Sequence, residues 1–126
     1  KDIMIKDNLP IISKNLKIID VIFEMTKFKY PIIFYFSNEE FIGIFTDGDL
    51  RRTISKDRTN LDQSIENFIN KNYFSLQLNM KIIDLNIKKL LDNDLLSGIP
   101  IVDTNNKLEG FINKDTLIKN NISLNI

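Results

Sequence analysis

Asn15-Leu16-Lys17-Ile18-Ile19-Asp20 and Asn79-Met80-Lys81-Ile82-Ile83-Asp84 are one six-residue phrase written twice, with Leu16 against Met80 as its single change. Behind each copy an apolar strand carrying a glycine runs into a polar helix start, at Gly43 and again at Gly110. The copies stand 64 residues apart at the asparagine and 67 at the glycine. The second therefore holds about three extra residues between its helix and its second strand. Self-similarity at a fixed period is the mark of a repeat architecture. Units of about 60 residues bury little core alone, so two of them are expected to pack on each other around a pseudo-symmetric cleft.

The composition narrows the function classes. With 126 residues, 43% hydrophobic and 27% charged, the chain fits a compact globule. Its longest apolar runs, such as Ile32-Ile33-Phe34-Tyr35-Phe36, are strand-sized and far short of a bilayer span. Basic and acidic residues balance at 17 each, which removes the positive field that generic nucleic-acid binding uses. There is no Cys and no His. Disulfides, thiolate chemistry, the common zinc and iron sets and the usual general base are all absent, so the reading is no catalytic residue and no metal site. No targeting segment is visible. The chain begins at Lys1 with its earliest Met at position 4, and it is expected to be a piece cut from a longer protein.

Along the chain, Leu9–Ser13 reads as a short strand with Pro10 at its start. Asn15 is placed to cap a helix whose apolar positions are Ile18, Ile19, Ile22, Phe23 and Met25. Ile32–Phe36 and Phe41–Phe45 form a hairpin across the turn Ser37–Glu40, with a second helix from Thr46-Asp47-Gly48-Asp49 through Ile54. Ser64–Ile69 reads as a short connecting helix. The second unit repeats the order: strand Tyr73–Leu76, a helix burying Ile83, Ile87, Leu90 and Leu91, strands Ile99–Val102 and Lys107–Ile112 around the turn Asp103–Asn106, and a helix from about Asp115. Each half is β-α-β-β-α, and the boundary falls as 1–61 and 62–126, the second carrying the connecting helix.

The densest local signal is Gly43-Ile44-Phe45-Thr46-Asp47-Gly48-Asp49-Leu50-Arg51-Arg52. A strand glycine followed by Thr and Asp at three and six residues beyond brings a hydroxyl, helix-start N–H groups and a carboxylate to one point. Such N–H groups favour an anion, so a phosphate suits them, while the Asp49 carboxylate can accept both hydroxyls of a ribose. Gly43 and Gly48 would let a ligand come close to the backbone, and Asp47 and Arg52 complete the candidate ligand-binding set. The same residues also read structurally: Thr46 or Asp47 as the N-cap, Asp49 as a first-turn acid favoured by the helix dipole, Arg51 and Arg52 solvated or paired with Glu39 or Glu40. In the second copy the matching positions are Asn113 and Thr116, with an acid only at Asp115, which reads as the cap of the last helix or, with the helix start shifted by one residue, as an acid reaching the cleft. The phenylalanines Phe34, Phe36, Phe41 and Phe45 are assigned to the core.

The tandem β-α-β-β-α units and the Gly-hydrophobic-x-Thr-x-x-Asp stretch, together with Ser97-Gly98-Ile99-Pro100-Ile101-Val102-Asp103, resemble a pair of cystathionine-β-synthase-type (CBS) domains, a Bateman module, over nearly the whole chain. That resemblance implies an α/β (α+β) fold with pseudo-twofold symmetry, ribose at Asp49, phosphates near Thr46, and a nucleotide as partner. The opening Lys1-Asp2-Ile3-Met4 and the stretch Gly43–Arg52 are similar to the C-terminal module of bacterial arabinose 5-phosphate isomerases. This implies a cytoplasmic, regulatory, non-catalytic module behind a sugar-isomerase (SIS) domain, in a dimer or tetramer serving Kdo and lipopolysaccharide synthesis. Its regulatory ligand would be CMP-Kdo or an adenine nucleotide, AMP or ATP, with no required cofactor. A structural dimerisation module with an empty cleft, and a CBS pair of a sugar nucleotidyltransferase, are the alternatives.

Overall fold

The computed structural model describes residues 4–77 and 97–119. The elements are β1 (Ile11–Ile12), α1 (Ile18–Phe28), β2 (Ile32–Ser37), β3 (Glu40–Thr46), α2 (Asp47–Lys56), 3-10 turns at Arg58–Asp62 and Ile65–Asn67, β4 (Leu76–Gln77), β5 (Ile99–Val102), β6 (Leu108–Ile112) and α3 (Lys114–Lys119). The second copy of the repeated phrase, the helix expected to bury Ile83, Ile87, Leu90 and Leu91, and residues 1–3 lie outside the described residues. The fold is mixed α/β, with two three-stranded sheets ordered β1-β2-β3 and β4-β5-β6. In each sheet the middle strand runs parallel to the first and antiparallel to the third. Two compact units result: Asn8–Tyr73, and Lys1–Asp7 together with Phe74–Ile126.

In the first unit the uninterrupted apolar run makes β2 the central strand, with Ile32, Ile33, Phe34 and Tyr35 all buried. Parallel pairing of β1 with β2 demands a crossover, which α1 supplies. Both strands that open a unit are shorter than their apolar runs, Ile11–Ile12 within Leu9–Ser13 and Leu76–Gln77 at the end of Tyr73–Leu76. Helix α1 buries Ile18, Val21 and Met25 against Ile12, Ile33, Tyr35, Phe45 and Ile65. At 3.6 residues per turn, Phe23 falls on the far side from that face. It is 65% exposed, Ile19 is exposed as well, and Ile22 is half-buried, which corrects three of the five expected core positions. Asn15 is also not the cap: α1 starts after Lys17 with no side-chain cap, and the Asn15 side-chain Oδ1 instead accepts from the Ser64 hydroxyl.

The hairpin turn puts Asn38 and Glu39 at φ 52° and 67°. That is the two-residue left-handed turn whose twist matches a β-hairpin. The connector between the repeats is then sewn onto the first unit. Ile18 N–H donates to Gln63 O at 2.9 Å, Ile65 N–H donates to Leu16 O at 2.8 Å, and Ile65 is fully buried. The expected helix at Ser64–Ile69 is only the 3-10 turn Ile65–Asn67, since the chain next extends to join a sheet edge. There Ile44 and Asn70 exchange N–H···O bonds of 3.0 and 2.9 Å. Within the second unit Phe111 and Ile5 do the same at 3.0 and 2.7 Å.

Strand β5 is buried at every position, as its Ile-Pro-Ile-Val sequence requires. Asp103 closes the turn to β6, its Oδ1 accepting from the N–H groups of Asn105 and Lys107 at 2.8 and 2.9 Å. Such local side-chain bonds are why Asp favours turns.

Candidate functional site

The first unit's site is built by the end of β3. Gly43 sits flat in the strand, and none of the chain's described glycines has a positive φ. Its missing side chain serves the connector: a Cβ at Gly43 would come within 2.5 Å of the Asn70 carbonyl oxygen and of Ile69 Cγ2. The close approach expected of a ligand there is made by the chain itself. Gly110 is filled in the same way by the Ile5 carbonyl.

Three residues on, the strand gives way to α2 at Thr46, whose extended backbone (φ −103°, ψ 170°) makes it the N-cap. Its Oγ1 accepts from Asp49 N–H at 3.1 Å, and Thr46 N–H donates to Asp49 Oδ2 at 2.9 Å. This reciprocal exchange is a capping box with Asp in place of the more common Glu, and it satisfies two donors that a helix start leaves open. Asp47 N–H donates to Pro31 O at 3.0 Å. Two first-turn donors, those of Asp47 and Asp49, are therefore already used within the protein.

Thr46 is thus the cap, not Asp47. Asp47 instead accepts from Arg51 Nη1 at 3.2 Å, and Asp49 Oδ1 accepts from Arg52 Nη2 at 2.6 Å. Both arginines pair within their own helix rather than with Glu39 or Glu40, because three- and four-residue spacings bring side chains together on one face. Thr46, Asp47, Gly48 and Asp49 are half-buried and Arg52 is exposed, so the set forms one small charged surface at the helix start. With Arg51 included, its two acids, Asp47 and Asp49, are matched by two bases, Arg51 and Arg52. The chemistry available is recognition, through a hydroxyl, a carboxylate and a guanidinium. Among the described residues no group of three or more Asp, Glu, His or Cys is placed to hold a metal.

The matching position in the second unit reproduces the geometry with neutral groups. Asn113 N–H donates to Thr116 Oγ1 at 2.9 Å, and Thr116 N–H donates to Asn113 Oδ1 at 3.0 Å. Asn113, not Asp115, caps α3, and Asp115 is an exposed first-turn acid. Thr116 takes the place that Asp49 holds in the first unit, so no carboxylate stands at this point. Of the four phenylalanines assigned to the core, Phe34, Phe41 and Phe45 are buried and Phe36 is half-buried. Phe41 stacks on Phe36 and leans against Tyr73 at 4.9 Å between ring centroids.

Sequence reasoning missed two partnerships here. Asn70 against Gly43 pairs residues 27 apart, which no local pattern shows. The Asp49–Arg52 pair is legible as an i,i+3 acid–base spacing, in competition with the turn acids Glu39 and Glu40.

The family model described as CBS domain matches residues 1–56 and 65–122. An arabinose 5-phosphate isomerase of Salmonella typhi, GutQ, is 29% identical over 108 residues, covering 85% of this chain and 33% of the relative. The chain thus spans about a third of the length of that relative. A CBS-domain-containing protein of Agrobacterium tumefaciens matches in structure with a TM-score of 0.78 at 19% identity, covering 93% of this chain and 86% of that one. The protein CBSX2, solved in complex with AMP, matches with a TM-score of 0.78 at 15% identity, covering 95% and 93%.

Proposed function

This chain belongs to the CBS-domain family, and we propose that it is the regulatory pair of a sugar-phosphate isomerase, binding a nucleotide or nucleotide-sugar at the start of α2. The observation that carries this reading is the Thr46–Asp49 exchange, which holds a hydroxyl and a carboxylate side by side at one helix start. In this role Asp49 takes the ribose hydroxyls, Thr46 and the first turn of α2 face the phosphates, and Arg52 adds a cation. The AMP complex of CBSX2 supports a nucleotide as the ligand class. Likeness to GutQ supports an arabinose 5-phosphate isomerase as the host, with a SIS domain upstream and CMP-Kdo, AMP or ATP as the candidate effectors. The second unit, with Asn113 and Thr116, lacks the acid and is assigned no ribose site. Binding regulates only if the ligand favours one arrangement of the host protein over another.

The test is a thermal melt with AMP, ATP, CMP and CMP-Kdo. A ligand at 100 times its dissociation constant adds about 2.7 kcal/mol, which raises the midpoint of a domain this size by several degrees. A null result with all four supports the other reading, a module that dimerises and holds catalytic domains together. That reading is favoured by Ile19 and Phe23, two large apolar side chains exposed on α1. The reading frame before Lys1 tests the host: a SIS domain supports the isomerase, and a nucleotidyltransferase domain replaces it.

A further inference from the structure

Arg52 holds the very oxygen that a ribose would need. Its Nη2 stands 2.6 Å from Asp49 Oδ1, while Oδ2 of the same carboxylate accepts from Thr46 N–H. The guanidinium folds over Gly48, where a Cβ would sit 3.4 Å from Arg52 Nη1. The Arg52 side chain is 71% exposed against 21% for Asp49, so the arginine covers the better-protected acid from the solvent side. A solvent-exposed ion pair of this kind is weak. A phosphate offers a guanidinium two parallel charge-assisted bonds in place of the single one seen here. Arg52 lies one turn beyond Asp49 on the same helix, so rotating its own side chain suffices to release the carboxylate, with no movement of the backbone.

Resting on the nucleotide reading above, we propose that Arg52 is a phosphate-released lock on Asp49. Without ligand the guanidinium occupies Asp49 Oδ1. A ligand that brings a phosphate draws the guanidinium off and exposes the carboxylate to its sugar hydroxyls. A nucleoside, with hydroxyls and no phosphate, must displace Arg52 without giving it a new partner. The site thereby selects phosphorylated ligands twice over, by attracting the phosphate and by withholding Asp49 from anything that lacks one. Thr116 at the matching place of the second unit offers no acid to lock.

Calorimetric titration with AMP, adenosine, CMP and cytidine tests this on the wild-type chain and on Arg52→Ala, with Arg52→Gln as a second variant. Losing a charged phosphate contact should weaken the nucleotide by about tenfold. Releasing an exposed pair should tighten the nucleoside by roughly two- to fivefold. The opposite signs are the signature of a lock. If the nucleotide weakens while the nucleoside binds no tighter than to wild type, including undetectably to both, Arg52 is a plain phosphate contact and the lock is wrong. If wild type binds nucleotides and neither variant changes any affinity, the lock alone fails. If wild type binds none of the four, the nucleotide reading fails and takes the lock with it.

Discussion

The hydroxyl of Tyr35 donates a 2.7 Å hydrogen bond to Glu66 Oε2, joining β2 at the centre of the first sheet to the 3-10 turn of the connector. Tyr35 itself is buried. Burial first, then the hydrogen bond and the negative charge of Glu66, push its pKa from 10.0 up to about 12. The folded state therefore prefers the neutral phenol. Its contribution is complete below pH 10 and is lost as the pH rises from 10 toward about 12. Denaturant unfolding should show stability falling across that window. Tyr35→Phe should remove this part of the fall while costing about 0.5–1.5 kcal/mol at neutral pH. An alkaline slope identical in both proteins would mean that the phenol ionises as freely folded as unfolded.

The glycines separate by what lies against them. Gly43→Ala forces a methyl to 2.5 Å from the Asn70 carbonyl oxygen, a backbone atom that cannot swing aside. The Ile44–Asn70 exchange must open, and we expect a loss of about 1–3 kcal/mol, in the range of overpacked sites. Gly110→Ala should behave alike, through Ile5. Gly48→Ala should not: its nearest neighbour is the mobile end of Arg52, and alanine favours a helix, so stability should hold or rise by up to about 1 kcal/mol. Urea midpoints of the three variants check the ordering.

Repetition makes the order of elements legible, since each copy of the phrase is followed by strands and turns in the same order, with a three-residue difference in spacing before the glycine. Sidedness was harder to read. The apolar run from Ile18 to Met25 holds more hydrophobic residues than one helical face accommodates, and only contact with Ile33 and Ile65 selects Ile18, Val21 and Met25 over Ile19 and Phe23. The start of α1 is hidden from the sequence for a related reason. Asn15 has the right chemistry for a cap, yet Ser64, 49 residues away, claims its side chain. At the candidate site the residue types were readable, and the offset of three and six from the glycine proved structural in both units. Which oxygen each donor uses was not, because Thr46, Asp49 and Arg52 compete for one another and only geometry ranks the outcomes.

Glu39 marks a place where the chain is not optimised. Its φ of 67° is left-handed, and L-residues pay about 1–2 kcal/mol for that region. Glycine removes the clash but loses roughly 0.5–1 kcal/mol through its freer unfolded state. Glu39→Gly should therefore gain up to about 1 kcal/mol, giving the Asn-Gly pair that this turn type prefers. Lys29, with φ 66° at the C-cap of α1, offers a second such position. Denaturant midpoints that fall in both variants would show that the native side chains make compensating contacts.

Asp49 is where fold and recognition overlap, and substitution can separate them. Asp49→Ala removes the partner of Thr46 N–H and the pair with Arg52 together, which should cost about 0.5–2 kcal/mol. Lost binding in that variant would by itself say little about recognition. Asp49→Asn keeps an oxygen for Thr46 N–H and loses only the charge, and Asp49→Thr copies the arrangement that Thr116 makes with Asn113. Both should melt within a few degrees of wild type. Both should bind AMP or CMP at least about tenfold more weakly if the carboxylate takes the sugar hydroxyls, since a hydrogen bond to a charged group contributes about 1.5–3 kcal/mol. Undiminished affinity in two folded variants would assign Asp49 to the cap alone and move sugar recognition to other residues.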